Sequence, residues 1–293
     1  MVKELVVISG KGGTGKTSLA ASFAALARDK VMADCDVDAA DLHLVLQPDI
    51  QRRQTFSGGH KAVIRGQDCT GCGLCEEACR FEAVRRDKGG VFCVDELSCE
   101  GCGVCVRFCP AKAIDFPERE SGEWYVSQTR HGTLVHARLG AAEENSGKLV
   151  TQVRREASRM AAEQGVGLVI VDGPPGIGCP VIASLAGASL ALIVTEPTVS
   201  GRHDMERVAE LCRRLGVSAA VCVNKCDINP FVTAEICRWS QERALAMAGE
   251  LPYDAVVTRA QLAGRSVVEM DGEPMAGLIR QVWERVHGLL EKQ

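Results

Sequence analysis

The apolar positions of this chain come in short runs separated by stretches with a helical period. Runs at about 3–8, 31–34, 167–172, 189–194 and 218–223 are strand-sized, and stretches at about 17–28, 147–164, 201–215 and 231–247 carry helical spacing. This alternation predicts an α/β fold, a mostly parallel sheet built from right-handed strand–helix–strand units and flanked by helices on both faces. Towards the end, Leu278, Ile279, Val282, Val286, Leu289 and Leu290 fall on one stripe of a helix whose polar face mixes both charge signs. Such a helix suits packing against a core, not lying on a membrane. No run approaches the eighteen or so uncharged apolar residues that a membrane span requires.

Cysteine interrupts the alternation. The chain has 293 residues, 46% of them hydrophobic and 25% charged, and 15 are cysteines. Apart from that count the composition is ordinary for a globular protein. A net charge of −4 leaves no basic surplus, so no nucleic-acid partner is expected. The start, Met1-Val2-Lys3-Glu4-Leu5-Val6-Val7-Ile8, lacks a basic leader with a long apolar run and a small-residue cleavage site, which predicts a cytoplasmic protein. In that reducing setting the cysteines point to metal, not disulfides.

Eight of them form two arrays, Cys69-x2-Cys72-x2-Cys75-x3-Cys79 and Cys99-x2-Cys102-x2-Cys105-x3-Cys109. This is the run of bacterial two-cluster ferredoxins, in which the fourth cysteine of each array serves the other cluster. The expected ligand sets are therefore Cys69, Cys72, Cys75 and Cys109 for one 4Fe-4S cluster, and Cys79, Cys99, Cys102 and Cys105 for the other. Cys-x2-Cys pairs also bind zinc. Two complete arrays and Pro110 after the second favour iron and sulfide; Arg80 stands where the first array would have its proline. Ala83-Val84 and Ala113-Ile114 follow the arrays at matching positions, as an internal two-fold repeat requires. Cys93 lies outside both and is expected to be a small buried apolar residue.

The first strand runs into Gly10-Lys11-Gly12-Gly13-Thr14-Gly15-Lys16-Thr17 and then a helix beginning at Ser18, the strand–turn–helix context of a phosphate-binding loop. Its glycines let successive backbone N–H groups face phosphate oxygens at a helix N-terminus. Lys16 is placed to reach the β- and γ-phosphates, and the Thr17 hydroxyl to ligate Mg2+.

With its extra lysine at Lys11, the loop resembles the deviant Walker A sequence of the MinD, ParA and Mrp group of ATPases. That resemblance implies that Lys11 crosses a dimer interface to the partner's nucleotide. Val31-Met-Ala-Asp34-Cys-Asp36 resembles the group's first switch, with Asp34 supporting Mg2+ and Asp36 orienting the attacking water. Val169-Ile-Val-Asp172-Gly-Pro-Pro-Gly176 resembles Walker B and the second switch, with Asp172 on the metal and Gly176 near the γ-phosphate. Val221-Cys-Val-Asn224-Lys225-Cys-Asp and Leu251-Pro252-Tyr253-Asp254 resemble the segments that read and cover adenine. The implied ATP site is Gly10, Lys11, Gly12, Gly13, Thr14, Gly15, Lys16, Thr17, Ser18, Asn224, Pro252 and Asp254. Mg2+ falls to Thr17, Asp34 and Asp172, and catalysis to Lys11, Lys16 and Asp36. In an open parallel sheet, strand ends scattered this widely along the chain converge on one crevice.

Walker A precedes the cysteine arrays and Walker B follows them, so the chain resembles the MinD-superfamily ATPases that carry an inserted α+β ferredoxin-like domain, relatives of the Mrp iron–sulfur carriers. The expected division is 1–55 and 119–293 for the ATPase and 56–118 for the insert. Gln51-Arg-Arg-Gln and Pro117 to Glu123 are expected to be polar hinges. The resemblance extends through Trp124–Ser127, His136–Leu139 and Glu144–Leu149. Asn145, Ser146 and Lys148 read as a polar cap on the helix starting near Gly147, and His131 and His136 as surface strand residues. Cys222 and Cys226 do not have the spacing of the cluster-bridging pair of Mrp carriers. Cys35, Cys179, Cys212 and Cys237 sit singly in core-like or helical settings.

Together these features imply an ATP-hydrolysing iron–sulfur protein, a homodimer or a heterodimer with a paralogous ATPase. Its nucleotide state would control electron transfer or metal-cofactor assembly on a client protein. The alternative is a cluster carrier in which ATP gates loading and release.

Overall fold

The computed structural model describes residues 2–87, 89–140, 146–270 and 273–293. In chain order it begins with β1 (Lys3–Ser9), α1 (Lys16–Leu26), β2 (Lys30–Asp34), α2 (Leu42–Leu46) and β3 (Asp49–His60). Short elements follow: β4 (Val63–Ile64), α3 (Leu74–Glu77), β5 (Val84–Arg86), β6 (Phe92–Val94), α4 (Val104–Phe108) and β7 (Ile114–Asp115). Next come β8 (Glu118–Thr129), β9 (Gly132–Leu139), α5 (Ser146–Gln164), β10 (Leu168–Pro175), α6 (Cys179–Leu185), β11 (Leu190–Thr195) and α7 (Val199–Leu215). The chain closes with β12 (Ser218–Asn224), α8 (Pro230–Glu242), β13 (Ala246–Leu251), α9 (Val256–Leu262) and α10 (Met275–Leu290).

Two compact units result. The first comprises Met1–Gln54, Trp124–Arg138 and Ser146–Gln293, and the second Thr55–Glu123 and Leu139–Asn145. The chain thus passes from one unit to the other within β3 and returns within β8, where the sequence suggested boundaries after 55 and 118.

The principal sheet has strand order β13-β12-β11-β1-β10-β2-β9-β8-β3. From β13 to β9 every described pairing is parallel, with registers such as Val7↔Asp172, Asp172↔Asp34 and Asp34↔His136. The mostly parallel α/β sheet expected from the alternation is therefore present. Its core is mainly aliphatic, with Leu5, Val7, Met32, Leu46, Leu134, Ile170 and Leu192 all fully buried around the one ring of Phe23.

Several expectations are corrected. The two presumed hinges are strands: Gln51–Gln54 lies in β3, and β8 begins at Glu118. Arg52 sits 5.0 Å over the Trp124 ring and pairs with the buried Glu156, so polar residues on an exposed strand face find partners that a hinge would lack. The helix expected over 231–247 stops at Glu242, and Ala246–Leu251 is a strand beside β12. Gly249 lets α10 pack closely there, since a β-carbon would lie 2.6 Å from Val282 Cγ2. His136 is on a strand but buried, stacked on Tyr125 at 4.9 Å and hydrogen-bonded to Ser127 Oγ at 2.9 Å. Cys93 is exposed; Cys179, also exposed, stands at the start of α6, one of the helical settings expected for it. Ser146 and Lys148 lie in the first turn of α5, while Glu144 and Asn145 fall outside the described residues. No described helix is long and apolar enough to cross a membrane.

In the second unit the repeat is visible in the backbone. Gly73 and Gly103, with φ of 81° and 72°, cap α3 and α4, and Glu82 and Lys112 take left-handed conformations three residues after Cys79 and Cys109. Antiparallel pairs β4–β7 and β5–β6 close the unit over Ala62, Cys75, Ala83, Val84, Phe92, Cys99 and Ile114.

Candidate functional site

β1 delivers the chain to the glycine-rich turn and α1 carries it away. Gly15 holds the N-cap of α1 at φ 93°, a conformation open to glycine, and a β-carbon there would lie 2.4 Å from Asn224 Nδ2. Lys16 is 5% exposed, and its ammonium stands 3.6 Å from Asp36 Oδ2. Burial raises the Asp36 carboxyl, with Lys16 pulling the other way.

Asp34 and Asp172 are register partners on adjacent strands. Asp34 accepts hydrogen bonds from the N–H groups of Asp36 at 3.2 Å and Leu42 at 3.3 Å. Burial, then the charge of Asp172, holds its carboxyl well above the usual range. Asp172 is 1% exposed, and neither of its oxygens has a hydrogen-bond partner among the described residues. Burial lifts its carboxyl to about 6, against the pull of Lys16. Two buried carboxylates side by side, one without a donor, are costly unless a cation joins them. The pair suits Mg2+, a hard ion that takes one or two carboxylates and keeps several waters, with Thr17 next to Lys16 at the start of α1.

Lys11 turns back onto its own chain. Its Nζ lies 3.4 Å from Glu196 Oε2 and donates to Thr198 Oγ1 at 3.3 Å; Glu196 also pairs with Lys225. After β12, Asn224 Nδ2 donates to Thr14 O at 2.8 Å and Lys225 Nζ to Gly13 O at 3.4 Å. After β13, the Tyr253 N–H donates to Asp227 Oδ1 at 2.6 Å, and the Val256 N–H to Asp254 Oδ1 at 2.8 Å. Gln261 Nε2 donates to Ser18 Oγ at 2.9 Å. Lys11, Lys16, Asp34, Asp36, Asp172 and Asn224 thus gather around the turn, whereas Asp254 bonds to the start of its own helix. Glu196, Thr198, Asp227 and Gln261 were not singled out from the sequence. The first three stand within a few residues of apolar strand ends, which was the available signal.

In the cysteine unit two cavities occur. One, of about 310 Å3, is lined by Cys69, Cys72, Cys75 and Cys109 with Ile64 and Phe92 among its apolar walls. The other, of about 350 Å3, is lined by Cys79, Cys99, Cys102 and Cys105 with Phe81 and Phe116. The Ala113 N–H donates to Cys109 Sγ at 3.3 Å, and burial pushes the Cys75 and Cys105 thiols up. Among the described residues no three His, Cys, Asp or Glu side chains are grouped so as to hold a single metal ion.

A glycine-rich turn between a parallel strand and a helix, facing two buried aspartates at the ends of neighbouring strands, defines a P-loop nucleotide-binding protein of the α/β class. Residues 5–267 match the CobQ/CobB/MinD/ParA nucleotide binding domain (CbiA), and the chain belongs to that family. It is 34% identical to the uncharacterised protein MJ0578 of Methanocaldococcus jannaschii over 234 residues, 78% of this chain and 80% of the relative. Among solved structures it is similar to the septum site-determining protein MinD of Pyrococcus horikoshii, a complex with Mg-ADP, at 17% identity with TM-score 0.61, covering 99% of this chain and 97% of that one. It is also similar to the MinC:MinD cell division complex of Aquifex aeolicus, at 17% identity with TM-score 0.57, covering 98% and 96%. These structural likenesses are to the fold; with the family match they make the chain a nucleotide-binding protein of the MinD/ParA ATPase type.

Proposed function

We propose that the chain is a nucleotide-driven dimeric switch, of the ATPase class, that carries two 4Fe-4S clusters and acts on a redox or metal-cofactor client. The observation that carries the iron–sulfur half is the composition of the two cavities, each lined by four cysteines drawn from both arrays in the crossed pattern of a two-cluster ferredoxin. The thiolates of a polynuclear cluster each bind a different iron and stand further apart than the ligands of a single ion. The absence of a single-ion group among the described residues is therefore compatible with this reading.

The nucleotide half rests on Lys16, Asp36 and the unpartnered Asp172 around the loop. Mg-ADP bound to the Pyrococcus horikoshii MinD supports a magnesium nucleotide here too. Lys16 holds the terminal phosphates, and Asp36, 3.6 Å from its ammonium, is positioned to orient the attacking water. Lys11 exchanges Glu196 and Thr198 for the partner's nucleotide when the dimer closes. Both lysines then face the charge that develops in hydrolysis. Mg2+, when bound by Thr17 and the two buried aspartates, neutralises phosphate oxygens. The clusters, when bound, supply one-electron chemistry. Opening of the switches after hydrolysis changes how the client docks.

Anaerobic purification with metal and sulfide analysis tests the first half. About eight irons and eight sulfides per chain are expected; stoichiometric zinc overturns the reading. Redox cycling during nucleotide turnover, with the iron retained, separates electron transfer from the carrier alternative, in which clusters pass intact to an apo-acceptor.

A further inference from the structure

Glu196 carries two ammonium groups where one would neutralise it. Lys11 Nζ lies 3.4 Å from its Oε2, and Lys225 Nζ pairs with its Oε1. We infer that Glu196 is a positioning residue for dimer closure: it holds Lys11 on its own protomer, and Lys225, its standing counter-ion, is what allows Lys11 to leave. The inference rests on the dimeric-switch reading above and deepens it, by naming the residues that set how readily the switch closes.

The acid is firmly placed. It follows β11 directly, and the chain turns at once into α7. Thr195 Oγ1 donates to Gly201 O at 2.9 Å across this turn. Gly201 lies so close that a β-carbon there would meet Glu196 O at 2.4 Å. The segment presenting Glu196 therefore packs tightly against the first turn of α7.

The two lysines are held differently. Lys225 is anchored through its backbone as well as its side chain: its N–H donates to Asn224 Oδ1 at 3.0 Å, its φ is a left-handed 55°, and its ammonium also donates to Gly13 O at 3.4 Å. Lys11 stands in the glycine-rich turn, and its ammonium also donates to Thr198 Oγ1 at 3.3 Å. That hydroxyl is the N-cap of α7 and accepts the Gly201 N–H at 3.0 Å, a bond that does not depend on Lys11.

Charge balance then assigns the roles. When Lys11 departs, a neutral Glu196–Lys225 pair is left behind and Thr198 keeps its cap bond. No group loses its last partner, so the exchange avoids the penalty of an unpaired, part-buried charge. Without Lys225 the same departure would strand a carboxylate beside a turn that binds phosphates, where it also repels the nucleotide. Glu196 thus restrains Lys11, and Lys225 limits that restraint, so their removal has opposite effects on closure.

The test is sedimentation velocity of the anaerobically purified full chain with Mg2+ and ATP, and with AMPPNP to arrest turnover. The proteins compared are the parent, Glu196→Gln, Lys225→Met and the double variant. Glu196→Gln is expected to tighten the dimer by roughly 3- to 10-fold and Lys225→Met to weaken it by a similar factor. In the double variant the Lys225 effect should vanish, leaving the affinity within about twofold of Glu196→Gln alone. A Glu196→Gln dimer that is unchanged or weaker overturns the inference, the weaker one being the outcome of an acid that contacts the partner protomer. A Lys225→Met effect that persists beside Glu196→Gln also overturns it, since Lys225 then acts through Gly13 and not through Glu196. A parent that stays monomeric at every protein concentration refutes the dimeric switch itself and the latch with it.

Discussion

The nucleotide unit closes around large apolar side chains such as Leu5, Phe23, Met32, Ile170 and Leu192. The cysteine unit has a core of small residues, one aromatic ring and two of its own candidate ligands, Cys75 and Cys99. In the first, stability and chemistry are carried by different residues: the aliphatics make the sheet rigid, and polar groups at strand ends are free to be strained, as the unpartnered Asp172 is. In the second the same thiols line the cavities and fill the core. A unit this small draws little stability from its apolar core, so on the proposed reading loss of ligation is loss of fold.

The largest expected effect breaks the second unit alone. Cys75→Ser combined with Cys105→Ser, or iron chelation, should abolish its unfolding transition in calorimetry while that of the nucleotide unit persists. Survival of both transitions would dissolve the contrast. Next, Lys16→Ala should lower hydrolysis by about 100- to 1000-fold or more with both transitions intact; unaltered turnover would remove the loop from the chemistry.

A smaller effect measures what the nucleotide unit gives up to its site. The Asp172 carboxyl titrates at about 6 when folded against 3.8 when unfolded, so the folded chain keeps the proton longer and stability falls as pH rises between those values. Asp172→Asn should stabilise the metal-free protein at pH 7, an advantage that disappears below about pH 4. Denaturant titrations without Mg2+ at the two pH values check it, and an Asn variant no more stable at pH 7 would contradict it. Smallest is the slope from His136, whose ring burial, helped by His43, lowers from 6.5 to about 4. The unfolded chain takes up this proton first as pH falls, so about 2 kcal/mol is lost by pH 5. His136→Gln should flatten that part of the curve, and an unchanged slope would assign it elsewhere.

Much of the nucleotide unit was legible because each strand announces itself in a few consecutive residues. Val31–Asp34 and Val169–Asp172 are apolar runs ending in acids, and the structure sets their ends side by side in register. The start of Ala246–Leu251 was not legible: Ala246 and Met247 read as the end of a helix, and pairing with β12 together with the close approach of α10 overrides that preference. The polar Gln51–Gln54 likewise reads as hinge until Trp124 and Glu156 are seen beside Arg52. Contacts such as Asn224 to Thr14 and Lys11 to Glu196 join residues about two hundred apart, and no local pattern encodes them.

By itself the sequence determined the phosphate-binding turn, the two cysteine arrays and the parallel alternation, because their geometry follows from the backbone preferences and spacing of neighbouring residues. Only the tertiary structure decided that β3 and β8 are strands, that His136 is buried, that Lys11 rests on Glu196, and that Asn224 is tied to the loop. Those outcomes depend on which distant segments pair, and pairing is a property of the whole folded sheet.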